Sequence, residues 1–327
     1  MVFPKNRFRR ALFNWYRENG RDLPWRRTRD PYAVLISEFM LQQTQVATVL
    51  PYYNEWFRRF PDFSALAGAS ESDVLHAWQG LGYYARARNL HATAKTIVDW
   101  HGGRFPKSID QMRQLPGIGK YTAHAVASFA FDESVPIVEA NIARVLARIF
   151  NLRTPIDKIA GREFLWNRAK QIVAQRGAAR FNSALIDLGA LICLPRKPRC
   201  RICPVREFCR ATNPEILPVR KTRPRTKLLT ESHAFVVSRN KILLERSDGR
   251  WRRMWILPPL KTRSTINGPI YRSVFPFTHH QVVLNVYRRR PRKTNKLQRW
   301  IKIASLGSIP VPSPHRRAIT YLLLQQE

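Results

Sequence analysis

Leu115-Pro116-Gly117-Ile118-Gly119-Lys120 separates two stretches whose apolar residues recur at helical spacing. Pro116 predicts the end of the incoming helix, because it has no N–H to donate and clashes with the preceding turn. Gly117 and Gly119 permit a tight reversal and let backbone N–H groups come close to a phosphate. Lys120 adds a positive charge where the next helix opens. A plain turn between two helices would use the same residues. The alternative is a helix-hairpin-helix turn that holds a DNA backbone without reading its sequence.

The charge of the chain favours the second reading. Its 327 residues hold 57 Lys+Arg against 22 Asp+Glu, a formal net charge of +35. The excess is spread along the whole chain, which points to a large polyanion and ranks nucleic acid above an anionic membrane. No apolar run reaches the roughly 18–20 residues of a membrane span. The length is enough for two cores.

On both sides of the hairpin, the first 210 residues read as helical. Periodic apolar positions mark Phe8–Tyr16, Tyr32–Val49, Asp73–Trp78, Asn89–Trp100, Tyr121–Ala130, Asn141–Phe150 and Phe164–Ala174, with turns expected at Asn19-Gly20, Pro51 and Gly102-Gly103. From Asn213-Pro214 to Arg225 the chain is Pro-rich and basic, as a linker is. Beyond it His233–Ser238, Lys241–Glu245, Met254–Leu257 and Val282–Tyr287 read as strands, Lys302–Ser313 as loop and Arg316–Gln325 as a closing helix. The expected class is α+β: residues 1–212 all-α, 213–230 linker, 231–327 a small mixed module that is itself basic.

Two carboxylates are candidates for chemistry, with an ordinary surface glutamate as the alternative for each. Glu38 stands among Val34, Leu35, Ile36, Phe39 and Met40, and burial there would raise its pKa as a general acid requires. Gln42, Gln43 and Gln45 follow, with side chains able to donate and accept at base edges. Glu139 follows the apolar run Val135–Val138 and precedes Asn141; it suits a helix-capping acid or the partner of Glu38 that stabilises a sugar cation. In Trp78-Gln-Gly-Leu-Gly-Tyr83-Tyr84-Ala-Arg86-Ala-Arg88, either tyrosine can wedge between bases while Arg86 and Arg88 meet phosphates. Tyrosines packed in the core are the alternative.

The four cysteines of the chain are Cys193, Cys200, Cys203 and Cys209, spaced C-x6-C-x2-C-x5-C in a basic, Pro-rich window. Residues 1–30 read as an amphipathic helix rather than an apolar leader, which argues against disulfides. A zinc site of four thiolates and an iron–sulfur cluster both fit the spacing.

Taken together these motifs resemble the MutY-type adenine DNA glycosylases of the endonuclease III superfamily. The resemblance rests on Leu23-Pro-Trp-Arg26, Asp30-Pro-Tyr, Ser37-Glu38, Met40-Leu-Gln-Gln-Thr-Gln-Val46, Gly80-Leu-Gly-Tyr-Tyr-Ala-Arg-Ala-Arg-Asn-Leu-His91, the 115–120 hairpin and the cysteine spacing. It implies a helix-hairpin-helix glycosylase domain with a 4Fe-4S cluster on the four cysteines. It implies double-stranded DNA with a mismatched adenine as partner, the adenine being flipped out and excised opposite 8-oxoguanine or guanine. Glu38 matches the residue that protonates adenine at N7. Tyr121, Asn141 and Arg26 match residues that support the site. Gln43 and Tyr83 match residues that insert around the 8-oxoguanine. Bifunctional relatives carry a Schiff-base lysine where this chain has Tyr121, so a monofunctional enzyme is implied. Glu139 departs from the family's Asp-Gly-Asn: the chain has Glu139-Ala140-Asn141, one methylene longer.

The C-terminal part resembles the family's Nudix-like lesion-reading module, shortened here. Phe277-Thr278-His279 is close to the family's Phe-Ser-His, which implies that Thr278 and His279 contact the 8-oxoguanine. The Nudix catalytic box is missing from the sequence. A monomer acting on DNA in a bacterial cytoplasm is expected, without a membrane. A thymine or uracil mismatch glycosylase of the same superfamily is the nearest alternative, and a non-catalytic, structure-specific DNA-binding protein the next.

Overall fold

A computed structural model describes residues 3–221, 226–260, 268–277, 279–290 and 294–325. Thr278 lies outside the described residues. In chain order the helices are α1 (Lys5–Asn19), α2 (Pro31–Leu41), α3 (Val46–Arg59), α4 (Phe63–Gly68), α5 (Glu71–Ala77), α6 (Ala85–His101), α7 (Ile109–Gln114), α8 (Lys120–Phe131), α9 (Ala140–Ile149), α10 (Ile159–Ile172), α11 (Ala178–Asp187) and α12 (Ser313–Leu324). The strands are β1 (Lys227–Phe235), β2 (Val237–Ser238), β3 (Lys241–Arg246), β4 (Trp255–Ile256), β5 (Tyr271–Phe277), β6 (His280–Arg288) and β7 (Gln298–Lys302). Compactness divides the chain into Met1–Gln42 with Thr96–Thr222, and Gln43–Lys95 with Arg223–Glu327. The division does not follow chain order, whereas the boundaries expected near 212 and 230 do.

In the first unit, α2 starts where Asp30 caps it, its carboxylate accepting from Tyr32 N at 3.0 Å, with Pro31 in the first turn. Every residue from Tyr32 to Met40 is buried, as expected of a helix that is apolar all round. It packs on α8, whose buried face is mostly small: Thr122, Ala123, Ala125, Ala127, Ser128 and Ala130. Phe8 and Leu12 of α1, Leu146 and Ile149 of α9, Leu165 of α10 and Phe181 and Leu185 of α11 form the core with Val205 and Phe208. Burying each such side chain contributes about 1.5–3 kcal/mol.

The pattern expected as one helix over Tyr32–Val49 is two. The chain leaves α2 at Gln42, passes Gln43 at φ 57°, and re-enters a helix after Gln45. Pro51, expected to make a turn, lies inside α3. The missing hydrogen bond is offset by burial of Val49, Tyr53 and Trp56. Within the expected linker, Leu217 is buried, Ile156 N donates to Val219 O at 3.0 Å, and Lys221 N donates to Asp157.

In the second unit, β6 pairs parallel with β1 and antiparallel with β5, giving a three-stranded sheet in the order β1-β6-β5. A second sheet runs β2-β3-β4, with β7 also on β3. Phe235, Ile242, Leu244, Leu257, Val282, Leu284 and Val286 form its core with Ala318, Ile319 and Leu322 of α12. Strands β5 and β7 go beyond the expected set. Their sequences, Tyr-Arg-Ser-Val-Phe-Pro-Phe and Gln-Arg-Trp-Ile-Lys, are broken by polar residues and a proline. Among the described residues no helix is long and apolar enough to cross a membrane.

Candidate active site and nucleic-acid interface

Glu38 is the one ionisable group on α2 apart from Tyr32, and it is only 6% exposed. Tyr121, in the first turn of α8, donates its hydroxyl to Glu38 Oε2 at 2.7 Å. Burial pushes the Glu38 carboxyl up to about 7; the Tyr121 bond opposes this, the nearby charge of Glu139 adds to it, and Arg26 pulls the other way. Burial likewise pushes the Tyr121 hydroxyl well above its ordinary value. The pair therefore offers a proton at neutral pH, and the carboxylate left behind keeps a donor.

Glu139 caps α9. Its Oε1 accepts from Ile142 N at 2.7 Å, and its Oε2 accepts from Asn141 N at 2.7 Å and Asn141 Nδ2 at 3.1 Å. Burial raises its pKa against these donors. The capping role anticipated as one alternative is thus present in the geometry. It leaves an ordered carboxylate within electrostatic reach of Glu38.

Arg26 does not stand free. Its guanidinium makes a bidentate pair with Asp187, at 2.7 and 2.9 Å, and Arg21 binds the same carboxylate. Burial opposes ionisation of Asp187, but Arg26 and Arg21 outweigh it and hold the carboxyl below its usual range. After Asp187 the helix widens into a π-helical turn, Leu188–Ile192, a distortion common at functional sites. Arg144 crosses beneath it. It donates to Asn141 Oδ1 and Gly189 O, each at 2.7 Å, and to Cys193 O at 2.8 Å. Asp187, Arg144 and Gly189 are not among the residues picked out from the sequence. Asp187 carries the signal that flags Glu38, a lone acid in an apolar run (Ala184–Ile192).

The four cysteines are half-buried and free of disulfides. The buried Arg148 organises their loop: it donates to Leu194 O at 2.7 Å, Pro195 O at 3.1 Å and Cys193 Sγ at 3.2 Å. Burial pushes the Cys203 thiol up to about 11, and the other three cysteines add to the shift, so the four sulfurs share one neighbourhood. Among the described residues, no group of three or more His, Cys, Asp and Glu side chains converges as a single metal ion requires. Arg196, Lys197, Arg199 and Arg201 of this loop are exposed.

At the hairpin, Gly117 (φ 75°), Gly119 and Lys120 are exposed while Leu115 and Ile118 are buried. Lys120 Nζ sits 4.1 Å from the Trp166 ring centroid, a cation–π contact. In the other unit, Gln43 and Tyr83 are exposed, Tyr83 at 48%, and both have left-handed backbone. Tyr84, the other tyrosine considered as a wedge, is buried. Arg86 is 7% exposed and donates to Leu81 O at 2.8 Å and Gly82 O at 3.3 Å. Its guanidinium satisfies the carbonyls of the turn before Tyr83. His279 is exposed beside the β5–β6 turn.

The model of the HhH-GPD superfamily base excision DNA repair proteins matches residues 36–171. The adenine DNA glycosylase of Rattus norvegicus is 43% identical over 213 residues, 62% of this chain and 41% of its own. That of Buchnera aphidicola subsp. Baizongia pistaciae is 38% identical over 258 residues, 77% of this chain and 73% of its own. A solved thermostable thymine-DNA glycosylase superposes with a TM-score of 0.59 at 32% identity, over 63% of this chain and 95% of that one. The chain belongs to the HhH-GPD superfamily of base excision DNA repair proteins, and within it to the family of its adenine DNA glycosylase relatives. It spans about two-fifths of the length of the mammalian relatives it matches.

Proposed function

We propose that the chain is a monofunctional DNA glycosylase that flips out adenine paired with 8-oxoguanine or guanine and hydrolyses its N-glycosidic bond. The observation that carries this is the Tyr121–Glu38 bond, which presents a carboxyl titrating about 7 where an acid is needed. Glu38 gives its proton to adenine N7, and the bonding electrons leave C1′ with the base. Glu139 faces the resulting oxocarbenium-like sugar with its negative charge. Water then adds at C1′ and loses a proton, leaving free adenine and an abasic site. Arg26, held by Asp187, keeps positive charge near Glu38 and limits its rise.

Tyr121 stands where the resemblance puts the Schiff-base lysine of bifunctional relatives, and the neighbouring Lys120 lies over the Trp166 ring, which supports a monofunctional enzyme. Gly117, Gly119 and Lys120 hold the phosphate backbone, Gln43 and Tyr83 enter the stack, and His279 with Thr278 reads the opposite base. Arg86 is reassigned from phosphate contact to support of the 81–83 turn. The mixed sheet after residue 226 supports a shortened Nudix-like module. The enzyme acts as a monomer on duplex DNA.

Cys193, Cys200, Cys203 and Cys209 would hold a 4Fe-4S cluster, which supplies an architectural cross-link here and no electron to the reaction. Four half-buried thiols on one loop, none of them in a disulfide, are a donor set that suits such a cluster, in which each thiolate holds a different iron. Its exposed arginines and Lys197 would lie along phosphates.

The likeness to a thymine-DNA glycosylase keeps one rival: release of thymine opposite guanine. Single-turnover reactions on duplexes with adenine opposite 8-oxoguanine, adenine opposite guanine and thymine opposite guanine, followed by alkali, decide between them. Adenine release supports the proposal. Thymine release alone overturns it in favour of the rival, and no release leaves a DNA-binding protein.

A further inference from the structure

The exposed Tyr83 and His279 belong to distant parts of the chain but to one compact unit. Between them runs a series of packed rings. Tyr84, next to Tyr83, meets Trp251 edge-on with centroids 6.2 Å apart at 81°. Trp251 meets Phe277 at 5.4 Å and 72°. Phe277 closes β5 and pairs with His280 across the turn that carries His279. Arg250 lies over the Phe277 ring, its guanidinium 4.5 Å from the centroid. So each exposed group is one residue, or one strand pair, from an end of the ring series.

The turn that presents Trp251 is held firmly. It joins β3 to β4, with Arg253 N donating to Ser247 O and Met254 N donating to Trp251 O at 2.8 Å. Arg253 lies at φ 63°, a left-handed conformation that a side chain with a Cβ adopts at a cost. Its guanidinium is ion-paired with Glu71 of α5. Further polar contacts ring the aromatic centre. Gln79 Oε1 accepts from Val311 N at 3.1 Å and Arg316 Nη2 at 2.9 Å, His76 Nε2 meets Gly307 O at 2.7 Å, and Arg88 Nη1 donates to Arg252 O at 3.3 Å. An apolar centre inside a polar rim is the anatomy of a fixed interface, not of a tether.

We propose that Trp251 is a positioning residue for specificity: through Tyr84 and Phe277 it fixes the spacing between Tyr83 and His279, so that both engage one oxidised purine opposite the target. This rests on the adenine reading above. Neither exposed group then acts alone, and the preference for 8-oxoguanine over guanine is a property of the pair. Trp251 touches no DNA in this account.

The test compares single-turnover adenine release opposite 8-oxoguanine and opposite guanine, at matched salt, for the full chain and its Trp251→Leu and Trp251→Phe variants. Trp251→Leu is expected to lower the 8-oxoguanine-to-guanine rate ratio about fivefold or more, the lower end of ordinary coupling between two sites. Trp251→Phe, which keeps an aromatic edge, should retain most of it. A double-mutant cycle with Tyr83→Ala and His279→Ala should be non-additive in the parent and additive in the Trp251→Leu background. An unchanged ratio in Trp251→Leu overturns the proposal. So does equal damage by Leu and Phe with a matching fall in melting temperature, which reduces Trp251 to packing. If the parent releases no adenine from either duplex, the adenine reading itself fails and takes this inference with it.

Discussion

A methyl group on Gly189 would lie 2.6 Å from Asn141 Cβ. The π-helical turn after Asp187 and the first turn of α9 therefore meet at a point where only a hydrogen fits, and Asn141 is the residue whose amide binds Glu139. Gly189→Ala must push α9 and the turn apart. A displacement of about 1 Å at a reacting group can cost about 100-fold in rate. We expect excision to fall by about that factor while affinity for undamaged duplex changes little, measured by single-turnover release and gel shift. Parent-like excision would show that the α9 cap need not be held tightly.

Glu38 sets a pH dependence with a definite sign. Its carboxyl titrates about 7 in the folded chain against an ordinary 4.5. As a general acid it works protonated, so excision should decline roughly tenfold per pH unit on the alkaline side of about 7. Stability moves the same way. The unfolded chain loses this proton first, so the group costs nothing below pH 4.5, and the cost grows to its full size above about 7. Glu38→Gln should abolish excision yet raise stability at pH 8 by about 1–3 kcal/mol, visible in urea melts. A flat rate profile between pH 6 and 9 would remove Glu38 from the acid role.

Glu139→Gln is expected to slow excision by about 100-fold or more, as loss of one fixed charge at a developing cation does. A glutamine still accepts at one backbone N–H but turns a donor toward the other, so α9 also frays slightly. Glu139→Asp separates the effects, because it keeps the charge on a shorter arm. If Glu139→Gln matches the parent rate, the residue is a cap and nothing more.

Asp187→Asn leaves Arg21 and Arg26 without their shared carboxylate in a part-buried site. Removing one member of a buried ion pair costs about 3–5 kcal/mol. Asp187 itself is fully enclosed, so a loss near the lower figure is expected in thermal or chemical unfolding. A change under about 1 kcal/mol, the ordinary worth of a solvated pair, would mean water reaches the site.

Binding to undamaged duplex should weaken steeply with salt, because the exposed lysines and arginines release counterions from phosphate. Lys120→Ala should reduce the slope by about one unit. Trp166→Leu, which takes away the ring beneath that lysine, tests whether the contact orders it.

Much of the site is legible because its groups violate their surroundings. Glu38 among apolar residues, glycines at 117 and 119, and four clustered cysteines each contradict a bland reading. What escapes depends on distance in space. Asp187 gains meaning only when Arg26 arrives from 161 residues away, and Gly189 only when Asn141 closes on it. For Arg86 the sequence shows a charge but not that its guanidinium satisfies Leu81 O. Most helices are legible from their period, but α4, α7 and α11 lie outside the expected set and α2 and α3 read as one. β5 and β7 are not legible, because their pairing is decided by strands elsewhere and their own residues alternate poorly.

Unit Gln43–Lys95 with Arg223–Glu327 is assembled from two segments, and synthesis delivers them at different times. At about 5–20 residues per second, β1 follows α5 by on the order of ten seconds. Until then Tyr84, Gln79 and Glu71 lack the partners that the later segment brings, and the segment that carries Tyr83 is unfinished. Nascent chains thus hold a partly exposed aromatic surface during translation, and a premature stop before residue 226 would leave it for good. Such truncations should engage chaperones and degrade quickly even though every residue of the Glu38 cluster has already been made.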